Sequence, residues 1–186
     1  MEILFTIVDW LVALSIPFAL FFLYLKQRIL PSVLMLAAAG FFIGLTWELA
    51  FYFMGPHMSS DPVYTQFHDI SGHPLLQTFL HSLWDMGLFM IGYYLVLKCL
   101  KAPYFSYFSY TEWGVMVAWG QFQELCVEML ATGFGMWTFN PGPWNLVLFP
   151  FGSGVITLMP QLVWLVGSTV FYFMILFIHR RIRLFL

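Results

Sequence analysis

Charge is the scarcest thing in this sequence. Seven basic and nine acidic side chains are spread over 186 residues, so 9% of the chain is charged while 61% is hydrophobic. Cations this few and this scattered exclude a nucleic-acid-binding surface. Cysteine is nearly as rare: Cys99 falls near the end of one apolar run and Cys126 in the middle of another. Their different depths exclude an easy disulfide, and two thiols make no metal framework. There is no internal repeat, no low-complexity tract and no connection long enough for a second domain. What is there instead is apolar surface. A mean hydropathy of +0.85 makes a bilayer the expected solvent.

Five apolar segments stand out, at about 3–25, 31–53, 75–97, 112–134 and 155–178. Each is long enough to cross about 30 Å of hydrocarbon at about 1.5 Å per residue. The expected fold class is therefore all-α: a polytopic membrane protein, one integral domain over 1–186 forming a bundle of five transmembrane helices. The first segment has Glu2 and no basic start or small-residue cleavage site, so it reads as a retained helix. Lys26 and Arg28, Lys98 and Lys101, and Arg180, Arg181 and Arg183 follow segments one, three and five. With five spans all of them fall on one face, which the positive-inside rule makes cytoplasmic. The N-terminus is then outside or lumenal and the C-terminus cytoplasmic. The expected location is the endoplasmic reticulum in a eukaryote or the inner membrane in a bacterium. The connection 135–154 is aromatic and broken by Pro and Gly, and is expected to fold back as a lid; Pro17 and Pro160 are expected to kink their helices.

Against this background the polar residues are few and concentrated. "WGQFQELCVEML" (119–130) places Gln121, Glu124 and Glu128 at i, i+3 and i+7, on one helical face. His81 and Asp85 are i and i+4, with Trp84 beside them. Counting inward from the expected outer ends puts Asp9, Glu48, His81, Glu128 and Gln161 about 7–9 Å deep, and Asp85 and Glu124 about 15 Å. Every helix thus brings a polar side chain to one slab in the outer half of the membrane. No Lys or Arg lies at that depth. A carboxylate facing lipid costs at least about 3 kcal/mol, so these faces must point into the bundle. A buried acid with no cation beside it favours its neutral, proton-donating form.

Four readings compete for this slab. The acids could be polar glue between helices, although each is costly for that purpose. Glu48, His81, Asp85, Glu124 and Glu128, with His57, His68 and His73 in the loop above, could ligate a metal. No Glu-x-x-His pair occurs, however, and "FHDISGH" (67–73) has no tight ligand spacing, so no metal and no cofactor is expected. A proton-coupled transporter would need matching polar steps in the inner half, which are missing. The remaining reading is a pocket for a lipid-like molecule whose acids protonate it. Aromatic residues make up 21% of the chain, and Trp47, Trp84, Trp119 and Trp164 lie at or near the slab, where their faces could stabilise a cation.

The residues that carry this reading also carry a resemblance. The five-helix layout resembles the emopamil-binding-protein (EXPERA) family, which includes sterol isomerases and the sigma-2 receptor. "GFFIGLTWELAFY" is similar to that family's glycine–phenylalanine start followed by a glutamate, here Glu48. "WGQFQELCVEML" resembles its Gly-Gln stretch followed by an acid, here Glu124. "WELAFY" around Glu48 and "LWDMGLFMI" around Asp85 are also similar to the small membrane-integral terpene cyclases. The sterol isomerases carry a histidine four residues before the helix 2 glutamate, where this chain has Gly44, and the cyclases typically have more than five helices. Both resemblances imply acid-initiated rearrangement of an isoprenoid or sterol-like substrate. The catalytic candidates are Glu48, His81, Asp85, Glu124 and Glu128, with Trp47, Trp84, Trp119, Gln121, Gln161 and Trp164 as substrate-binding residues. A non-catalytic lipid- or sterol-binding protein is the alternative. The expected partners are the hydrophobic small molecule and membrane lipids, with no nucleic acid; assembly as a homodimer is left open.

Overall fold

The computed structural model describes residues 2–67 and 73–182. His68 and Arg183 lie outside the described residues. Five long helices run in order: α1 (Glu2–Leu25), α2 (Pro31–Met54), α3 (Pro74–Cys99), α4 (Tyr110–Gly133) and α5 (Leu158–Ile182). Local chemistry fixes their ends. α2 and α3 both start on a proline, whose missing N–H costs nothing in a first turn. His73 caps α3 by accepting from the Leu75 N–H at 3.2 Å, and Ser109 caps α4. Lys98 ends α3, and His179, Arg180 and Arg181 end α5, where cations suit the helix dipole.

Four helices, α1, α2, α3 and α5, are long and apolar enough to cross a membrane. The chain thus has the make-up of an α-helical membrane protein. α4 is as long but carries Glu112, Glu124 and Glu128, all buried against its neighbours. Glycines let the helix backbones approach closely. Gly40 of α2 meets Phe89 of α3, Gly44 meets Asp85, and Gly120 of α4 faces the Ser168 hydroxyl of α5. Phe89, Met116, Trp164, Phe171, Tyr172 and Ile175 fill the space between these helices. α1 packs on α3 at the edge, with Phe18, Phe21 and Phe22 exposed as lipid-facing residues would be. Cys99 and Cys126 are both free.

The connections depart from a purely helical expectation. β1 (Tyr64–Gln66), in the first long connection, pairs antiparallel with β2 (Trp137–Phe139) in the second, matching Tyr64 to Phe139 and Gln66 to Trp137. β3 (Val147–Phe151) and β4 (Gly154–Thr157) form a hairpin. Asn140 and Asn145 bind the layers together: Asn140 donates to the Pro62 carbonyl at 2.8 Å, and Asn145 accepts from the Met159 N–H at 2.8 Å. The expected lid is therefore a two-connection strand structure closing one end of the bundle. It also moves the start of the last helix. Val155–Thr157 belong to β4, so α5 begins at Leu158 and not at 155. Pro160 then falls in the first turn of α5, where it interrupts no helical hydrogen bond and has no reason to kink the chain. Pro17 lies inside α1.

Candidate functional site

Beneath the lid lies a cavity of about 350 Å³, within the roughly 300–1,000 Å³ usual for small-molecule sites. All five helices and both lid strands β1 and β2 contribute to its wall. α1 supplies Asp9; α2 supplies Trp47 and Glu48; α3 supplies His81, Trp84 and Asp85; α4 supplies Gln123 and Glu124; α5 supplies Val163 and Trp164. Trp137 and Phe139 of the lid close it from above.

Several of these side chains are set by specific neighbours. His81 Nδ1 lies 3.5 Å from Glu48 Oε2, so α2 and α3 are bridged at the cavity wall. The imidazole also faces the Trp137 ring of the lid at 6.0 Å between centroids. Trp84 donates its indole N–H to the Asp9 carbonyl at 3.2 Å, tying α1 to α3. Asp85 occupies the space that a side chain at position 44 would need: a Cβ on Gly44 would come within 2.6 Å of its carboxyl oxygen. Asp85 Oδ2 is buried with no hydrogen-bond partner. The indoles of Trp47 and Trp164 lie beside the carboxyls of Asp85 and Glu124. Among the described residues the cavity lining holds four acids and one histidine but no Lys or Arg. Its positive charge must therefore come from protons or from what it binds.

The structure thus brings together Glu48, His81, Asp85 and Glu124, with Trp47, Trp84 and Trp164. Glu128, Trp119, Gln121 and Gln161 do not line the cavity. Glu128 Oε1 accepts from both the N–H and the hydroxyl of Thr157, at 2.8 and 3.1 Å, fastening α4 to the end of β4. Trp119 donates to the Leu88 carbonyl at 2.8 Å, and Gln121 to the Gln161 carbonyl at 3.0 Å, both between helices. In their place the cavity takes Gln123, whose amide donates to the Gly120 carbonyl at 3.0 Å while its Oε1 has no partner. Tyr52, Tyr64, Gln66 and Gln77 line its lid end, where Gln66 donates to Gln77 at 3.1 Å. Sequence reading passed over these because lone Gln and Tyr residues near a helix end carry no distinguishing spacing.

No three His, Cys, Asp or Glu side chains among the described residues converge as metal ligands would. His73 is the α3 cap, and neither it nor His57 reaches the cavity. The arrangement has three chemical capacities: groups that can give a proton, a His–Glu pair that can take one, and aromatic walls that favour a cation. Comparison of the chain with family models, with curated proteins and with solved structures returns no match.

Proposed function

We propose that this chain is a membrane-embedded isomerase or cyclase that protonates a hydrophobic isoprenoid or sterol-like substrate. The observation that carries the reading is the pair of acids Asp85 and Glu124 on the wall of a cavity lined by tryptophans and, among the described residues, by no Lys or Arg. Asp85 or Glu124 gives its proton: the carboxyl O–H bond breaks, and the π pair of an alkene or a lone pair of an epoxide oxygen takes the hydrogen. The carbocation that follows is stabilised by the faces of Trp47, Trp84 and Trp164 while its bonds rearrange. Loss of a proton to Glu48 or His81 forms the product double bond. One proton enters and one leaves, so the product is an isomer of the substrate and no co-reactant is consumed. The resemblance of the Glu48, Asp85 and Glu124 motifs to the emopamil-binding-protein family and to membrane terpene cyclases supports the same chemistry. In the membrane, the lid end faces outward or into the lumen and the basic end faces the cytoplasm.

The test is incubation of the purified protein with a panel of isoprenoid alkenes and epoxides in D₂O. The expected product is an isomer of the substrate. From an alkene it carries one solvent deuterium on carbon in place of a hydrogen. From an epoxide the deuterium sits on the new, exchangeable hydroxyl, while a ring or a new double bond reports the rearrangement. Specific binding of panel members without isomerisation or deuterium uptake would assign the cavity to a non-catalytic lipid-binding protein.

A further inference from the structure

The acid-lined cavity does not end at its tryptophan wall. A second hollow of about 430 Å³ opens on the surface between α2 and α5, and Trp47 and Val163 belong to the linings of both. Two side chains are thus shared between the acids and the outer, lipid-facing side of the bundle. The hollow follows α5 from Met159 to Val170, about 16 Å at about 1.5 Å per residue. Its one hydroxyl, Thr46, donates to the Ile43 carbonyl at 2.7 Å, so it presents no free donor to an occupant. Leu162, Val166 and Val170 are exposed at i, i+4 and i+8 and form its rim. Gly167 sets the position of the partition: a Cβ there would meet the Trp47 ring at 2.7 Å. The absent side chain lets the indole approach the α5 backbone closely.

Polarity falls steadily along this path. Gln66 and Gln77 mark the lid end, the carboxyls come next, and the groove beyond Trp47 is apolar throughout. We propose that the groove is a tail site continuous with the cavity: it takes the hydrocarbon end of an amphiphilic ligand whose reacting end lies among the acids. The ligand enters sideways from the bilayer, between α2 and α5, past Trp47 and Val163. A boundary lipid would need no wall shared with the cavity, and a second copy of the chain would need a raised surface to fill a hollow. This inference rests on the reading of the cavity as a site for a hydrophobic ligand.

The experiment uses the full chain in phosphatidylcholine vesicles with two photoreactive forms of geranylgeraniol. One carries its diazirine beside the hydroxyl, the other on the terminal isoprene unit. The first should label α3 or α4 at the cavity and the second α2 or α5 at the groove, and unlabelled geranylgeraniol should displace both. Val166 is 61% exposed, so Val166→Trp fills the groove from its rim without disturbing the core. It should weaken geranylgeraniol binding roughly tenfold, the scale of a few lost apolar contacts. Binding of geraniol, too short to reach the groove, should be unchanged. Groove labelling that excess geranylgeraniol leaves in place, crosslinks between two copies, or unchanged geranylgeraniol affinity in Val166→Trp would each overturn the tail site while sparing the cavity. Absence of any displaceable label from the hydroxyl-side probe would overturn the ligand reading of the cavity and the tail site with it.

Discussion

Glu112 and Asp85 are almost equally buried, at 5% and 6% exposure, yet the protein treats them in opposite ways. Glu112, at the basic end of the bundle, accepts from the Phe105 N–H at 2.8 Å and from the Tyr172 hydroxyl at 3.0 Å. That hydroxyl in turn accepts from the Ser109 N–H at 2.8 Å. The loop before α4 is thereby fixed to α5, and Phe105 is wedged against Tyr93 and Tyr172. Asp85, under the lid, belongs to a cavity wall, with the Trp47 indole beside its carboxyl and its Oδ2 packed against Gly44 without a hydrogen bond. A buried acid whose oxygens are satisfied holds structure together; one left unsatisfied at a cavity wall is placed for something that comes and goes.

The largest effect expected from this contrast is on turnover. Asp85→Asn and Glu124→Gln keep side-chain shape but remove the acidic proton. Both should fold and bind ligand, and at least one should lose about a hundredfold or more in rate, the usual scale for general acid work. Wild-type turnover by both amide variants would erase the distinction between the two ends.

Glu112→Ala should do the reverse. Removing the carboxyl strands the Phe105 N–H and leaves the Tyr172 hydroxyl only the Ser109 carbonyl at 3.3 Å, at a cost of about 1–3 kcal/mol in stability. Turnover per folded molecule should stay near wild type. Thermal unfolding in detergent, read beside turnover, checks both halves; a rate loss without destabilisation would move Glu112 into the chemistry.

These two acids also show what the sequence could and could not reveal. Asp85 and Glu124 were legible because a charge deep in an apolar run is expensive wherever it appears. Glu112 was not, since it sits at a helix start where charge is ordinary. Its signal was "SYTE" (109–112), the Ser-x-x-Glu pattern of a helix N-terminus. The five helices followed from apolar length alone. The strands did not: β1 and β2 are partners some 70 residues apart, and nothing local in either announces the pairing. The face of α4 was read one step off. Aligning Gln121, Glu124 and Glu128 assumed that polar groups share one destination, whereas the helix sends Gln121 and Glu128 to α5 and β4 and turns Gln123 and Glu124 to the cavity.

A smaller effect tests how Asp85 is positioned. Gly44→Ala puts a methyl within 2.6 Å of the Asp85 carboxyl, while Gly40→Ala meets Phe89 no closer than 3.3 Å. The first should cost about 1–3 kcal/mol through overpacking and lower turnover as Asp85 is pushed aside. The second should be milder in stability and leave turnover near wild type. Equal effects of the two on turnover would mean that helix spacing, and not the seat of Asp85, is what matters.

The smallest effect belongs to Glu128, one turn beyond Glu124 on the same helix. Its Oε1 already accepts two hydrogen bonds from Thr157, and an amide oxygen can accept the same two. Its Oε2, like Asp85 Oδ2, is buried without a well-formed hydrogen bond, here beside the Gln161 amide, but Glu128 does not border the cavity. Burial and an unsatisfied oxygen are therefore common to both acids, and access to a ligand is what separates them. Glu128→Gln should change stability by no more than about 1 kcal/mol, the net scale of one hydrogen bond, and turnover by less than threefold to fivefold, roughly the factor the same energy allows. Glu128→Leu removes the acceptor from the Thr157 N–H and should destabilise by about 1–3 kcal/mol, again with little change in rate per folded molecule. If Glu128→Gln instead slowed turnover as much as Glu124→Gln, the proton would be shared along α4, and the cavity wall would not be the boundary between structural and chemical acids.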